Sequence, residues 1–95
     1  GARSVVAAAT TIHDALAALL QRHLGLPKPD ADLLRLAVCL AGLGVHMHVG
    51  RDVTDAVAPG LTDTPADLDL WQDRLVMFGL AMVQAERLRR QGDAA

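Results

Sequence analysis

Two imidazoles, His46 and His48, stand inside an otherwise apolar stretch around Met47. Residues two apart on a helix point about 200° apart, so these two cannot share one metal ion while helical. His48, Asp52 and Asp55 are better spaced, at four and seven residues. If a helix runs through Gly50, the three share a face and offer one nitrogen and two oxygens to a divalent cation. The competing reading is that Gly50 breaks the alignment and leaves both aspartates solvated. A His–Asp pair four apart is also an ordinary helix-surface contact. No metal or cofactor is therefore expected, and a metal-binding bundle on His48, Asp52 and Asp55 stands as an alternative.

His46 has a second use, as a polar handle in a ligand cavity. Pockets are mostly apolar with a few placed polar groups. The wall would be Met47, Trp71, Phe78 and Met82, since methionine adapts to varied ligands. The competing reading makes His46 a core or rim histidine and the Trp71, Phe78, Met77 and Met82 group plain core. His13 and His23, beside Asp14 and Arg22, read as surface residues. Cys39 sits in an apolar run, where a buried cysteine is a small inert hydrophobe. Arg87, Arg89 and Arg90 suit a helix end, with phosphate contact as the sharper option. The chain shows no glycine-rich phosphate loop, no Ser/His/Asp spacing and no paired carboxylates on one helix, so an enzyme is not expected.

The elements that must position these residues follow from composition. Ninety-five residues make one domain. With 52% hydrophobic residues the chain has ample surface to bury, which excludes disorder. A net charge of −2 argues against a free-standing nucleic-acid binder. One cysteine cannot form an internal disulfide. No apolar run approaches the roughly 20 residues of a membrane span, and residues 1–4 do not open a signal peptide. A soluble, cytoplasmic chain is the expectation. Trp71 and Phe78 are the only aromatics, so the core must be Leu, Val, Ala and Met, an alphabet that favours packed helices.

The periodicity predicts a first helix over 4–24, with Val5, Ala8, Ile12, Ala15, Leu16, Leu19 and Leu20 on its apolar face. Gly25 and Leu26 form a Schellman-type stop, reinforced by Pro27 and Pro29. Asp30 caps a second helix, with Asp32 near its positive end; its apolar residues from Leu33 to Val49 cover almost the whole circumference and so demand burial on every side. A short helix is expected over 51–58, ended by Pro59-Gly60. Thr64, Pro65 and Asp67 start the last helix. It carries a stripe of Leu68, Trp71, Leu75, Phe78 and Met82, closes at Gly92, and leaves a frayed tail over 93–95.

From Pro65 to Arg90 that helix is about 39 Å long. A compact globule of this length is about 32 Å across. The overhang predicts a homodimer. The expected architecture is all-α: a bundle of three long helices and one short one, whose last two long helices build a dimeric four-helix bundle. The expected interface is Leu36, Leu40, Leu43, Gly44, Leu75, Gly79 and Met82.

Three stretches carry a family resemblance: residues 32–42 (DLLRLAVCLAG), 57–61 (VAPGL) and 71–81 (WQDRLVMFGLA). They resemble the C-terminal regulatory domain of TetR-type repressors, the CecR-like subgroup most, from about Leu16 onward. The resemblance implies a domain that dimerises through its last two long helices and senses a small-molecule effector. It also implies an N-terminal helix-turn-helix domain that binds operator DNA, so 1–95 reads as a single regulatory and dimerisation domain, a fragment lacking that part. Leu43 stands where the subgroup often has Gln, and Asp73 where it often has His. The effector is thus not carried over. The leading reading is the ligand-sensing and dimerisation domain of such a repressor; the alternatives are a small self-associating helical adaptor without ligand and the metal-binding bundle.

Overall fold

A computed structural model describes residues 2–44 and 50–94. Among these residues the secondary structure is helical, with no strand: α1 (Ala2–Leu24), α2 (Ala31–Leu43), α3 (Arg51–Val57) and α4 (Pro65–Ala94). The fold is all-α, as its Ala- and Leu-rich sequence requires. The backbone divides into two compact units, Gly1–Ala41 and Gly42–Ala95.

In the first unit, local chemistry sets the turn between α1 and α2. Gly25 takes φ +70°, which a side chain would strain. Its N–H donates to the Arg22 carbonyl at 3.2 Å, and the Leu26 N–H donates to the Gln21 carbonyl at 3.0 Å. These are the two bonds of a Schellman closure. The Gln21 side-chain amide adds a bond to the Leu26 carbonyl at 3.2 Å. Asp30 then caps α2, its Oδ1 accepting from the Leu33 N–H at 2.8 Å. The buried residues are Ala17, Leu20, Leu33, Leu36 and Ala37, with Leu33 fully enclosed.

Two expectations change here. The covered face of α1 is that of Ala17 and Leu20, with Leu16 and Leu24 half-buried, whereas Val5, Ala8, Ile12, Ala15 and Leu19 are exposed. In an Ala-rich helix both faces are apolar, so periodicity does not decide which one packs. Likewise α2 is not buried on all sides: Val38 is 60% exposed, and Leu34 and Cys39 are exposed too. Cys39 is therefore no core hydrophobe. The helix also stops at Leu43, with Gly44 in a turn; the expected continuation to Val49 lies outside the described residues. Gly42 and Gly44 each disfavour helix by about 1 kcal/mol relative to Ala.

One helix, over Arg3–Leu24, is long and apolar enough to cross a membrane by length and composition. This corrects the expectation of no such segment. The apolar residues are not one run but are spread between Thr10, Thr11, His13 and Asp14. Asp14 near its centre would cost about 2.5–3.5 kcal/mol in a bilayer.

In the second unit, α3 begins on Gly50, whose carbonyl accepts from the Val53 and Thr54 N–H groups at 3.1 and 3.2 Å. Its end is one residue earlier than expected, with the Ala58 N–H returning to the Thr54 carbonyl at 2.8 Å. Helix α4 starts with a reciprocal capping box. The Asp67 N–H donates to Thr64 Oγ1, and the Thr64 N–H donates to Asp67 Oδ2, both at 3.1 Å.

Helix α4 does not close at Gly92 but runs on to Ala94, making it about 45 Å long. Gly92 has no positive φ, so it does not act as a stop. Arg89 ties the last turns together, reaching Glu86 at 2.6 Å and Asp93 at 2.6 Å, while Arg90 reaches Glu86 at 3.1 Å. Asp93 is thus paired with Arg89, and Arg89 and Arg90 are engaged within α4.

Candidate functional site

The loop from α3 to α4 is held over the start of α4 by a polar clasp. Thr62, only 4% exposed, is its centre. The Arg51 guanidinium donates from Nη2 to the Thr62 carbonyl at 2.8 Å, with a longer contact from Nε to Thr62 Oγ1 at 3.4 Å. The Thr62 hydroxyl donates to Asp55 Oδ1 at 3.0 Å. Arg51 and Asp55 lie one helical turn apart on α3, so a seven-residue helix is enough to present both. Gly60, at φ +94°, makes the turn that a residue with a side chain would resist.

Beneath this loop lies a cavity of about 280 Å³, lined by Gly60, Leu61, Asp67, Leu70, Trp71, Arg74, Leu75 and Phe78. Its α4 residues recur at three- and four-residue spacing, so a single helical face supplies them. Both aromatic residues of the chain, Trp71 and Phe78, are at its wall. The charged groups differ in their satisfaction. Asp67 is engaged by Thr64 in the capping box. Arg74, between Trp71 and Phe78 on that face, forms no ion pair with the described residues. The Trp71 Nε1–H is buried without an acceptor. A buried donor left unpaired costs about 1–3 kcal/mol.

Of the residues singled out for a pocket, Trp71 and Phe78 line the cavity. Met82 is half-buried, one turn beyond Phe78, and does not line it. His46 and Met47 lie outside the described residues. The sequence reading missed Gly60, Leu61, Leu70 and Arg74 as lining residues. Arg74 carried a usable signal, since it falls three after Trp71 and four before Phe78. Of the expected interface, Leu36 is buried within the chain, and Leu40, Leu43, Gly44, Leu75, Gly79 and Met82 are half-buried.

Of the alternative metal ligands, His48 lies outside the described residues. Asp52 is exposed, and Asp55 already accepts from Thr62. Among the described residues no group of three His, Cys, Asp or Glu is placed to hold a metal ion. His13, expected at the surface, is half-buried with Nε2 enclosed and unpartnered, its Nδ1 3.8 Å from Asp14. His23 is exposed as expected.

Helix α4 also carries a second apolar stripe. At 100° per residue, Leu68, Trp71, Leu75, Gly79 and Met82 form one face, and Leu70, Met77, Ala81 and Leu88 another about 140° away. The first is half-buried throughout. The second is exposed, Leu70 at 51% and Leu88 at 56%. Its spacing of seven, four and seven is the heptad pattern of a helix that packs on another helix.

A family model described as the C-terminal domain of the HTH-type transcriptional dual regulator CecR matches residues 5–85. This chain belongs to that family. The match takes in all three stretches that carry the resemblance, and it extends through most of α1, further toward the N-terminus than Leu16. It also runs across both compact units. The chain is thus a regulatory domain of the CecR C-terminal type. No curated protein and no solved structure gives a match.

Proposed function

We propose that this CecR-type domain dimerises through α4 and senses a small molecule in the cavity beneath the α3–α4 loop. The role is binding, not catalysis, and DNA is contacted by a helix-turn-helix part of the regulator, in the cytoplasm.

The observation that carries the reading is the uncovered heptad stripe of α4, beside a cavity on the same helix. Leu70, Met77 and Leu88 are each about half exposed. Covering the remaining half of such a side chain contributes about 0.75–1.5 kcal/mol, so the six from two protomers contribute about 5–9 kcal/mol. Association costs about 4–15 kcal/mol, so the exposed neighbours Val76 and Leu80 must join the contact. Leu70 belongs both to the cavity wall and to the exposed stripe. A ligand against Leu70 therefore acts on the face that carries the contact between subunits, and shifts the population between two dimer geometries.

Sedimentation of the wild type and of Met77→Glu tests this. Met77 is half exposed within the chain, so the helix content of the variant is measured alongside to show that the protomer stays folded. The expected result is a dimer that the charge splits into folded monomers. An unchanged mass in Met77→Glu rules out this face as the interface.

A further inference from the structure

The cavity beneath the α3–α4 loop also has a chemical preference, a deepening that rests on the ligand-sensing reading. We infer that it takes a small aromatic or apolar organic anion, its apolar body against Trp71 and Phe78 and its carboxylate or equivalent acceptor group on Arg74.

Three observations point the same way. First, the lining is apolar apart from Asp67 and Arg74, and it gathers the chain's only two aromatic rings. Flat apolar bodies gain most from such walls. Second, the polar groups are asymmetric in what they lack. Asp67, the one acidic group, is already bonded with Thr64 in both directions. Arg74 has no ion-pair partner among the described residues, and the Trp71 Nε1–H has no acceptor. The charged donor left free to engage a ligand is thus the exposed Arg74, so the partner that fits is an acceptor. A guanidinium offers a forked pair of N–H groups that matches a carboxylate. Third, the volume is small. Cavities for drug-sized ligands run from about 300 to 1,000 Å³, and this one is about 280 Å³, which suits a single ring with a short acidic arm.

The roof explains how occupancy is felt. Gly60 and Leu61 precede Thr62, which the Arg51–Thr62–Asp55 clasp ties to α3, so a ligand against them touches a loop anchored beside the cavity.

The chain has one tryptophan and no tyrosine, so its intrinsic emission reports on the cavity wall alone. The test titrates the whole chain with 3-phenylpropanoate, its neutral amide and a phenyl-bearing quaternary ammonium of similar size. Trp71 emission is the readout, with equilibrium dialysis alongside. The carboxylate is expected to give a saturable change and to bind at least fivefold more tightly than the amide. Arg74→Gln, at an exposed side chain, is expected to weaken the carboxylate about tenfold and leave the amide unchanged, as loss of one charge-assisted contact requires. Equal binding of carboxylate and amide, or preference for the ammonium, overturns the anion assignment while ligand sensing stands. Absence of binding by all three at millimolar concentration overturns both readings of the cavity.

Discussion

Replacing Thr62 by Val tests whether the polar clasp holds the loop. The substitution keeps the side-chain shape and the backbone carbonyl that receives Arg51, and removes only the hydroxyl. What is lost is the bond to Asp55 at 3.0 Å; the 3.4 Å approach of Arg51 Nε adds little. A hydrogen bond to a charged acceptor contributes about 1.5–3 kcal/mol. Asp55 is exposed, so water solvates its freed carboxylate and the loss falls at the low end, about 1.5 kcal/mol. In a domain of this size that lowers Tm by about 6–12 °C. Urea unfolding followed by Trp71 emission, at fixed protomer concentration, measures it. Thr62→Ser should keep most of the stability. Asp55→Ala should cost a similar amount alone and almost nothing further in the Thr62→Val background, giving a coupling of about 1.5 kcal/mol. A Thr62→Val change within 0.5 kcal/mol of wild type, or strict additivity with Asp55→Ala, refutes the clasp.

Three further substitutions probe elements by known physics. Gly25→Ala meets open space but must hold φ +70°, so it should destabilise by about 1–2 kcal/mol in chemical denaturation without altering the helix content of the native state. Asp30→Ala removes the α2 cap and should cost about 1 kcal/mol, whereas Asp30→Asn or Ser should recover most of it. Leu33→Ala empties a fully enclosed site and should cost about 2–5 kcal/mol, the largest of the set; a loss below 1 kcal/mol would show that Leu33 is not core.

The helix ends were legible in the sequence because their causes are local. Gly25-Leu26, Asp30 and the Thr64-Pro65-Asp67 start each fix a few backbone bonds among near neighbours, and all three stand as read. Gly92 misled for the converse reason: the Arg89–Asp93 and Arg89–Glu86 pairs carry α4 past a residue that propensity alone would use as a stop. The covered face of α1 was not legible. When Ala, Val and Leu populate every side, Val5, Ile12 and Leu19 read as core as readily as Ala17 and Leu20. The same degeneracy made α2 look wholly buried. For the cavity, Trp71 and Phe78 were visible by residue type. The clasp was not, since Arg51 and Thr62 are eleven residues apart and belong to different local elements. It took the fold to bring Gly60 and Leu61 over Arg74.

The most direct measurement of the central claim is molar mass by light scattering over a range of concentrations. The account predicts twice the 10.0 kDa chain mass, persisting on dilution into the micromolar range. A mass of 10.0 kDa at every concentration would contradict it, and would leave the Leu70, Met77, Ala81 and Leu88 stripe without the second copy assigned to cover it.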